Sequence, residues 1–462
     1  MKTNNMPAYL VIISVVCLLL ISSSFMIIRK VKQFAPPQRS AVKHTEWSKN
    51  AVIYEVNIRQ YSHEGTFKAF EKDLPRIKEL GVKIIWIMPV YPIGEKNRKG
   101  KLGSYYAIRD YQAINSEFGN MNDFKHLVQS IHNLDMKVIL DWVANHTAWD
   151  HPLMKNHPEY YMKDSAGRFI SPFDWTDVVR FDYQNPATRR FMTETMEWWL
   201  KETDIDGFRC DVASLVPTSF WNELRPELEK IKPVFMLAEA DIPEEQRHAF
   251  DMSYDWKFHH LMNDIAKGKE NANAIMKHFS MVDSIYPGNA YLMQFTSNHD
   301  ENSWNGTEYE RLGDGAKTFA VLAATIPGMP LIYNGQESAF NRRLIFFDKD
   351  SIDWHNYSLT SLYKILVNLK KRNKALWNGE EGGKLQRIST NRDTSVFAFV
   401  REKTHQKVLV ICNLTAKALD VKFNSGLLTG KYQEVFSQKK KSFASNEKIA
   451  LKPWDYLVYE AE

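Results

Sequence analysis

The chain has 462 residues, 44% of them hydrophobic, which is enough for one large domain, a second smaller one and a substantial core. Its 60 Lys and Arg against 55 Asp and Glu leave a formal charge of +5. Basic runs such as Lys439, Lys440 and Lys441 read as solvated surface, so no nucleic-acid partner is expected. Three cysteines, Cys17, Cys210 and Cys412, make no disulfide framework.

Residues 8–28 are apolar apart from Ser14, Ser22, Ser23 and Ser24, and Arg29, Lys30 and Lys32 follow them. A run of roughly 20 residues can span a bilayer, while Lys2 ahead of it and the small residues Ser22 and Ser24 also fit a cleaved signal. The charges behind the run argue against simple export, and Val16 before Cys17 argues against a lipid anchor. A core helix does not suit a segment followed by Pro36 and Pro37. The expectation is an extracytoplasmic protein, secreted, periplasmic or membrane-anchored, with residues 1–45 serving as signal or anchor and linker.

From residue 51 onward strand-like runs alternate with helical patterns. Strands are predicted at 52–57, 84–88, 138–141, 207–211, 235–239, near Met252, at 291–295 and at 331–333, and helices at 67–80, 121–134 and 186–201. This is the βαβ rhythm of a parallel sheet, and about eight units suggest a closed barrel over residues 46–376. Residues 147–182, rich in Trp, Tyr, His, Pro and Asp, interrupt the rhythm and read as a subdomain inserted after the third strand, with a turn at 164–167. From residue 377 to 462 the pattern becomes short alternating strands, at 395–401, 407–413 and 456–459, which predicts an antiparallel β domain.

Four apolar runs, 138–141, 205–211, 235–239 and 292–300, end in a carboxylate or a histidine. A charged group there sits at the strand's C-terminal mouth, where parallel α/β enzymes assemble their sites. Asp211, Glu239 and Asp300 are therefore expected to face one pocket. Paired carboxylates suit glycoside hydrolysis, one protonating the leaving oxygen and another attacking the sugar carbon. Arg209 lies on the same strand face as Asp211 and is expected to hold it ionised, as a nucleophile needs. Cys210 points the other way and reads as core. Glu239 follows Leu237 and Ala238, and apolar surroundings are expected to raise its pKa toward that of an acid. Any one of these acids could instead cap a helix. Trp149, Tyr160, Tyr161, Trp175 and Trp304 fit either sugar stacking or packing.

The segments DWVANHT (141–147), GFRCDVA (207–213), LAEA (237–240) and FTSNHDE (295–301) resemble, in order, the successive sequence regions of glycoside hydrolase family 13, the α-amylase family. The likeness runs from about Trp47 through the C-terminal β domain. It implies a (β/α)8 TIM barrel in which Asp211 is the nucleophile of a retaining double displacement, Glu239 the general acid and base, and Asp300 a carboxylate that grips the sugar. It further implies that Arg209, His146 and His299 bind the sugar, that Tyr106, opening YAIRDY (106–111), stacks on it, and that Asp141 supports the site. The implied partner is an α-glucan or maltooligosaccharide.

The chain also departs from the family. Residues 179–183 lack the usual Pro-Asp-Leu-Asn type of sequence, and Leu215 stands where many α-amylases carry a Lys-His pair, so endo-acting starch cleavage is not implied. Asn145 and Asp182 match calcium ligands of relatives, which makes Ca2+ a candidate, although two donors do not make a site; no other metal or cofactor is expected. The leading expectation is an exported hydrolase of α-1,4-glucosidic bonds. An α-glucan transferase or isomerase shares its chemistry. A membrane-anchored, non-catalytic relative such as the heavy chain of amino-acid transporters is the alternative of another class, and the presence of all three acids speaks against it.

Overall fold

A computed structural model of the chain describes residues 40–462; the apolar N-terminal run and Cys17 lie outside the described residues. Among the described residues no helix is long and apolar enough to cross a membrane. Eight parallel strands close into a barrel: β1 (Ile53–Val56), β2 (Ile84–Ile87), β3 (Lys137–Trp142), β6 (Gly207–Cys210), β7 (Phe235–Ala238), β8 (Met252–Tyr254), β9 (Tyr291–Gln294) and β10 (Met329–Tyr333). Between β3 and β6 lie β4 (His146–Ala148) and β5 (Val178–Arg180), an antiparallel pair that anchors the inserted subdomain. The barrel strands are buried on both faces, which is why they read as unbroken apolar runs.

Inward-facing side chains stack in layers. Ile53, Ile84, Ile139, Leu237, Met252 and Met293 belong to one buried cluster filling the barrel. Above this apolar plug the inward positions turn polar, with Glu55, Asp141 and Arg209 all buried. The apolar layer thus seals the barrel, and the next layer builds a site on top of it.

The surrounding helices follow the 3.6-residue period. Met121–Asn133 buries Phe124, Leu127, Val128 and Ile131, and Asn120 with Asp123 closes its N-terminus in a capping box. The single helix expected over 67–80 is instead two, Phe67–Glu71 and Leu74–Leu80. Pro75 is the cause: it offers no N–H and its ring would collide with the carbonyl of Glu71, so it is accommodated in the first turn of a new helix. Asp211 and Glu239 lie one residue beyond the strands that were expected to contain them.

The C-terminal domain contains β11 (Gln386–Ile388), β12 (Val396–Lys403), β13 (Gln406–Asn413), β14 (Leu419–Lys422), β15 (Gly430–Glu434), β16 (Lys440–Phe443), β17 (Lys448–Leu451) and β18 (Tyr456–Ala461). Six of them form an antiparallel sheet in the order β11-β12-β13-β18-β15-β16, and β14 pairs with β17. Arg401 on β12 pins this domain to the barrel. Its buried guanidinium donates to the carbonyls of Thr325 (3.1 Å) and Ile326 (2.8 Å) at the end of helix Ala316–Thr325, and to those of Trp377 (3.1 Å) and Gly383 (2.9 Å). A cation at a helix C-terminus is favourably placed, and four carbonyls lose their partner if it is removed. Arg401→Met is therefore expected to lower unfolding stability by roughly 2–5 kcal/mol. Guanidinium denaturation of the two proteins checks this, and an unchanged midpoint would refute the role.

Candidate active site

At the C-terminal mouth of the barrel a cavity of about 530 Å³ is lined by Tyr106, His146, Asp211, Glu239 and Asp300, together with Trp175, Trp304, Phe346 and Phe347. The three acids expected to share a pocket do share one. Asp141 does not reach it: its side chain is fully buried, whereas those of Asp211, Glu239 and Asp300 keep 10%, 12% and 34% of their exposure.

Arg209 is the hub. Nη1 contacts Asp141 Oδ1 at 2.9 Å and Asp211 Oδ1 at 3.0 Å, and Nη2 lies 2.9 Å from Glu239 Oε2. Nε donates to the Tyr254 hydroxyl at 3.2 Å, and the guanidinium lies 5.0 Å from the Trp86 ring centre. Asp141 Oδ2 accepts from Trp86 Nε1 (3.1 Å) and from the Tyr106 hydroxyl (3.2 Å). Asp141 therefore orients Arg209 and Tyr106 while turning no oxygen to the cavity.

Two expectations need correction. The apolar surroundings predicted for Glu239 are not found: its Oε2 sits against the Arg209 guanidinium and accepts the Val212 N–H at 2.7 Å. Arg209 was also expected to hold Asp211 ionised. Instead its charge is divided among three carboxylates, and burial, then the neighbouring Glu239 carboxylate, push the Asp211 pKa well up against the pull of Arg209.

Val212 is itself unusual. It occupies the left-handed region at φ +37° and ψ 46°, a conformation a β-branched side chain rarely adopts and that costs roughly 1–3 kcal/mol. That turn aims its N–H at Glu239.

The two histidines differ. His146 is buried without a carboxylate partner, and burial pulls its pKa down to about 3, so it is neutral. Burial also opposes charge on His299, but Asp300 and Glu55 outweigh it and raise the pKa to about 9. His299 Nδ1 donates to Glu55 Oε1 at 2.5 Å, and Nε2 faces the Tyr106 hydroxyl at 2.8 Å and Asp300 Oδ2 at 3.3 Å. The Tyr106 ring is roughly parallel to those of His299 and Phe346, with centroids at 5.7 and 6.3 Å.

Of the aromatic candidates, Trp175 and Trp304 line the cavity. Tyr161 packs on Phe181 at 4.9 Å, Tyr160 stacks with His157 at 4.8 Å, and Trp149 lies edge-on to Phe169 at 6.3 Å, so these three serve the subdomain. The sequence reading missed Glu55, Trp86, Tyr254 and Phe346. The first three carried a signal, a polar or aromatic side chain inside a short apolar strand; Phe346 lies in an irregular loop and carried none. Calcium finds a poor match. Asn145 is hydrogen-bonded to His146 and Phe181, Asp182 Oδ1 accepts from Gln184, and among the described residues no group of three or more His, Cys, Asp or Glu could hold a metal. Two donors fall short of the roughly six to eight oxygens the ion takes.

The raised folded pKa of His299 contributes stability that is complete below the ordinary value of 6.5 and is lost as pH rises through about 9. Glu55→Gln removes one of the two carboxylates that raise it, so the His299 midpoint, followed by imidazole NMR, is expected to fall by about one unit or more. An unmoved midpoint would show that Glu55 does not hold the charge.

Comparison with known proteins bears on the family and the fold. The model of the α-amylase catalytic domain matches residues 43–177 and 162–385, and that of the α-amylase C-terminal all-β domain matches residues 388–456. The chain is 27% identical to α-amylase MalA of Haloarcula japonica over 84% of its own length and 59% of that protein, so it spans about three-fifths of this relative. It superposes on the maltogenic α-amylase AmyB of Thermotoga neapolitana with a TM-score of 0.82 and 31% identity, over 90% of this chain and 99% of that one. The α-amylase of Lactobacillus plantarum gives 0.81 and 30%, over 90% and 100%. With both domain models matched, the barrel closed and the strand-end acids gathered at its mouth, the chain belongs to glycoside hydrolase family 13, the α-amylase family.

Proposed function

We propose that this chain is an exported hydrolase that cleaves α-1,4-glucosidic bonds of starch-like glucans or maltooligosaccharides by a retaining double displacement. The observation that carries the reading is the convergence of Asp211, Glu239 and Asp300 on one cavity around Arg209. Export rests on the apolar segment at residues 8–28.

In this reading Arg209 holds Asp211 Oδ1, leaving Oδ2 to attack the anomeric carbon. Glu239 gives its proton to the glycosidic oxygen as that bond breaks, then takes a proton from the water that attacks the glycosyl–Asp211 ester and frees the carboxylate. The acid needs a proton. With it on Glu239, the charge that most raises the Asp211 pKa after burial is gone, and Arg209 stabilises Asp211 as the nucleophile. Asp300 and the charged His299 hold sugar hydroxyls, and Tyr106 offers its ring face. The relatives support the substrate class: MalA is named an α-amylase, and the relative from Bacillus acidopullulyticus a maltogenic α-amylase.

Asp211→Asn is expected to reduce turnover of maltotriose by roughly 10⁴-fold or more while the folded protein survives, and a slow-reacting fluorinated glycosyl fluoride should label Asp211 in the parent protein, as read by peptide mass. Wild-type turnover in the variant would refute the nucleophile. Glu239→Gln should cost about 10²–10⁴-fold on maltotriose but far less in kcat/KM on a dinitrophenyl α-maltoside, whose leaving group needs no proton, while hydrolysis of the glycosyl–Asp211 ester stays slow without the base. Glucose and maltose as products of concentrated maltotriose would support hydrolysis; longer oligosaccharides would identify a transferase.

A further inference from the structure

The loop after β2, residues 94–103, is fastened on both sides. Toward the inserted subdomain, the Glu95 N–H donates to Asp150 Oδ2 at 2.9 Å, and Lys99 Nζ lies 3.4 Å from Asp177 Oδ1 and 3.3 Å from the Asp174 carbonyl oxygen. Toward the loop after β10, the Leu102 N–H donates to the Phe347 carbonyl at 3.0 Å and the Lys101 N–H to Asp348 Oδ1 at 2.9 Å. Gly100 (φ +63°) lets the two loops approach: a Cβ there would sit 2.5 Å from that of Phe347. The loop after β10 is joined in turn to the one after β9, where Asn302 Nδ2 donates to the Arg342 carbonyl at 3.1 Å and Trp304 packs on Phe346 at 5.1 Å.

The barrel order places β3, β2, β1, β10 and β9 side by side, so these fastened segments form one continuous wall along that arc. The opposite arc, among the described residues, lines the cavity only through Asp211, Val212 and Glu239 at the ends of β6 and β7. Among the described residues none from 240 to 298 lines the cavity, and β8 passes to the helix Trp256–Ala266 through Asp255 alone. Glu239, at the end of β7, stands on this side.

From this arrangement we infer that the enzyme acts on chain ends: the strap formed by residues 94–103, closed against the subdomain by Lys99 and Asp177, blocks the glycone side of the cleft and limits it to a few sugar units. The inference rests on the proposed hydrolysis. The acid must stand beside the leaving oxygen, so the departing chain lies over β7 and β8, from which no residue between 240 and 298 lines the cavity. The sugar transferred to Asp211 and any units on its non-reducing side are then the part enclosed by the wall. A short segment is removed from the non-reducing end, and interior bonds of a long chain cannot be threaded past the strap.

The test uses the full chain with maltoheptaose, free or carrying a 4,6-acetal cap on its non-reducing glucose, and reads products by chromatography. The free sugar should yield non-reducing-end fragments of one short length, and the capped sugar should react at least about a hundredfold more slowly. The Lys99→Ala/Asp177→Ala double variant should raise the capped-to-free rate ratio at least about tenfold and lengthen the released fragments. Equal rates on both sugars in the parent enzyme would overturn chain-end action while leaving hydrolysis standing. Cleavage of neither would refute the hydrolytic reading and this one with it. A ratio unmoved in the double variant would overturn the role of the Lys99–Asp177 closure. Asp177→Asn, which preserves the side chain's shape, provides the same comparison if the double variant does not accumulate.

Discussion

The guanidinium of Arg209 is shut off from solvent and meets carboxylates from three barrel strands or their ends, Asp141, Asp211 and Glu239. A buried charge without a partner is strongly destabilising, so the four groups depend on one another, and the mouths of β3, β6 and β7 are drawn toward a common point. The balance is deliberately uneven in its effect. One cation cannot neutralise three anions: burial raises the pKa of both Asp141 and Asp211, Arg209 pulls Asp141 back, and at Asp211 the Glu239 carboxylate adds to the rise.

Much of this was legible before any coordinates. A parallel barrel buries its strands on both faces, so each appears as an apolar run, and a charge closing such a run is conspicuous; Asp211, Glu239 and Asp300 were found that way. What neighbours along the strand cannot convey is what lies across it. Leu237 and Ala238 suggested an apolar setting for Glu239, but Arg209 pairs with Leu237 in register and its long side chain reaches up to the glutamate. Glu55 remained hidden for a related reason. It is one acid in the short buried strand β1, and its partner His299 is 244 residues away in sequence. Proline's local effect was printed in the sequence at Pro75, yet the apolar period across 67–80 overrode it until the break was seen. The walls of the cleft were the least legible, because residues 94–103 and 341–350 are irregular and carry no periodicity.

One strained residue lies where the chemistry would occur. Val212 holds a backbone conformation that its side chain opposes, immediately after Asp211 and donating to Glu239. The surroundings impose this turn: Trp221 donates to the carbonyl of Ala213, and the Asp211 N–H is tied to Trp142 on the neighbouring strand. The rigid barrel below thereby absorbs a local cost that a free loop would relax away.

His146 and His299 look interchangeable in the sequence, one histidine following each of two strand ends. Their environments lock them in opposite states, the first uncharged above about pH 3 and the second charged until about pH 9. Across that whole interval a bound ring meets a fixed dipole, an electrically silent imidazole on one flank and a cation on the other. From mildly acid to neutral pH the two rings therefore differ in charge, the first uncharged and the second a cation.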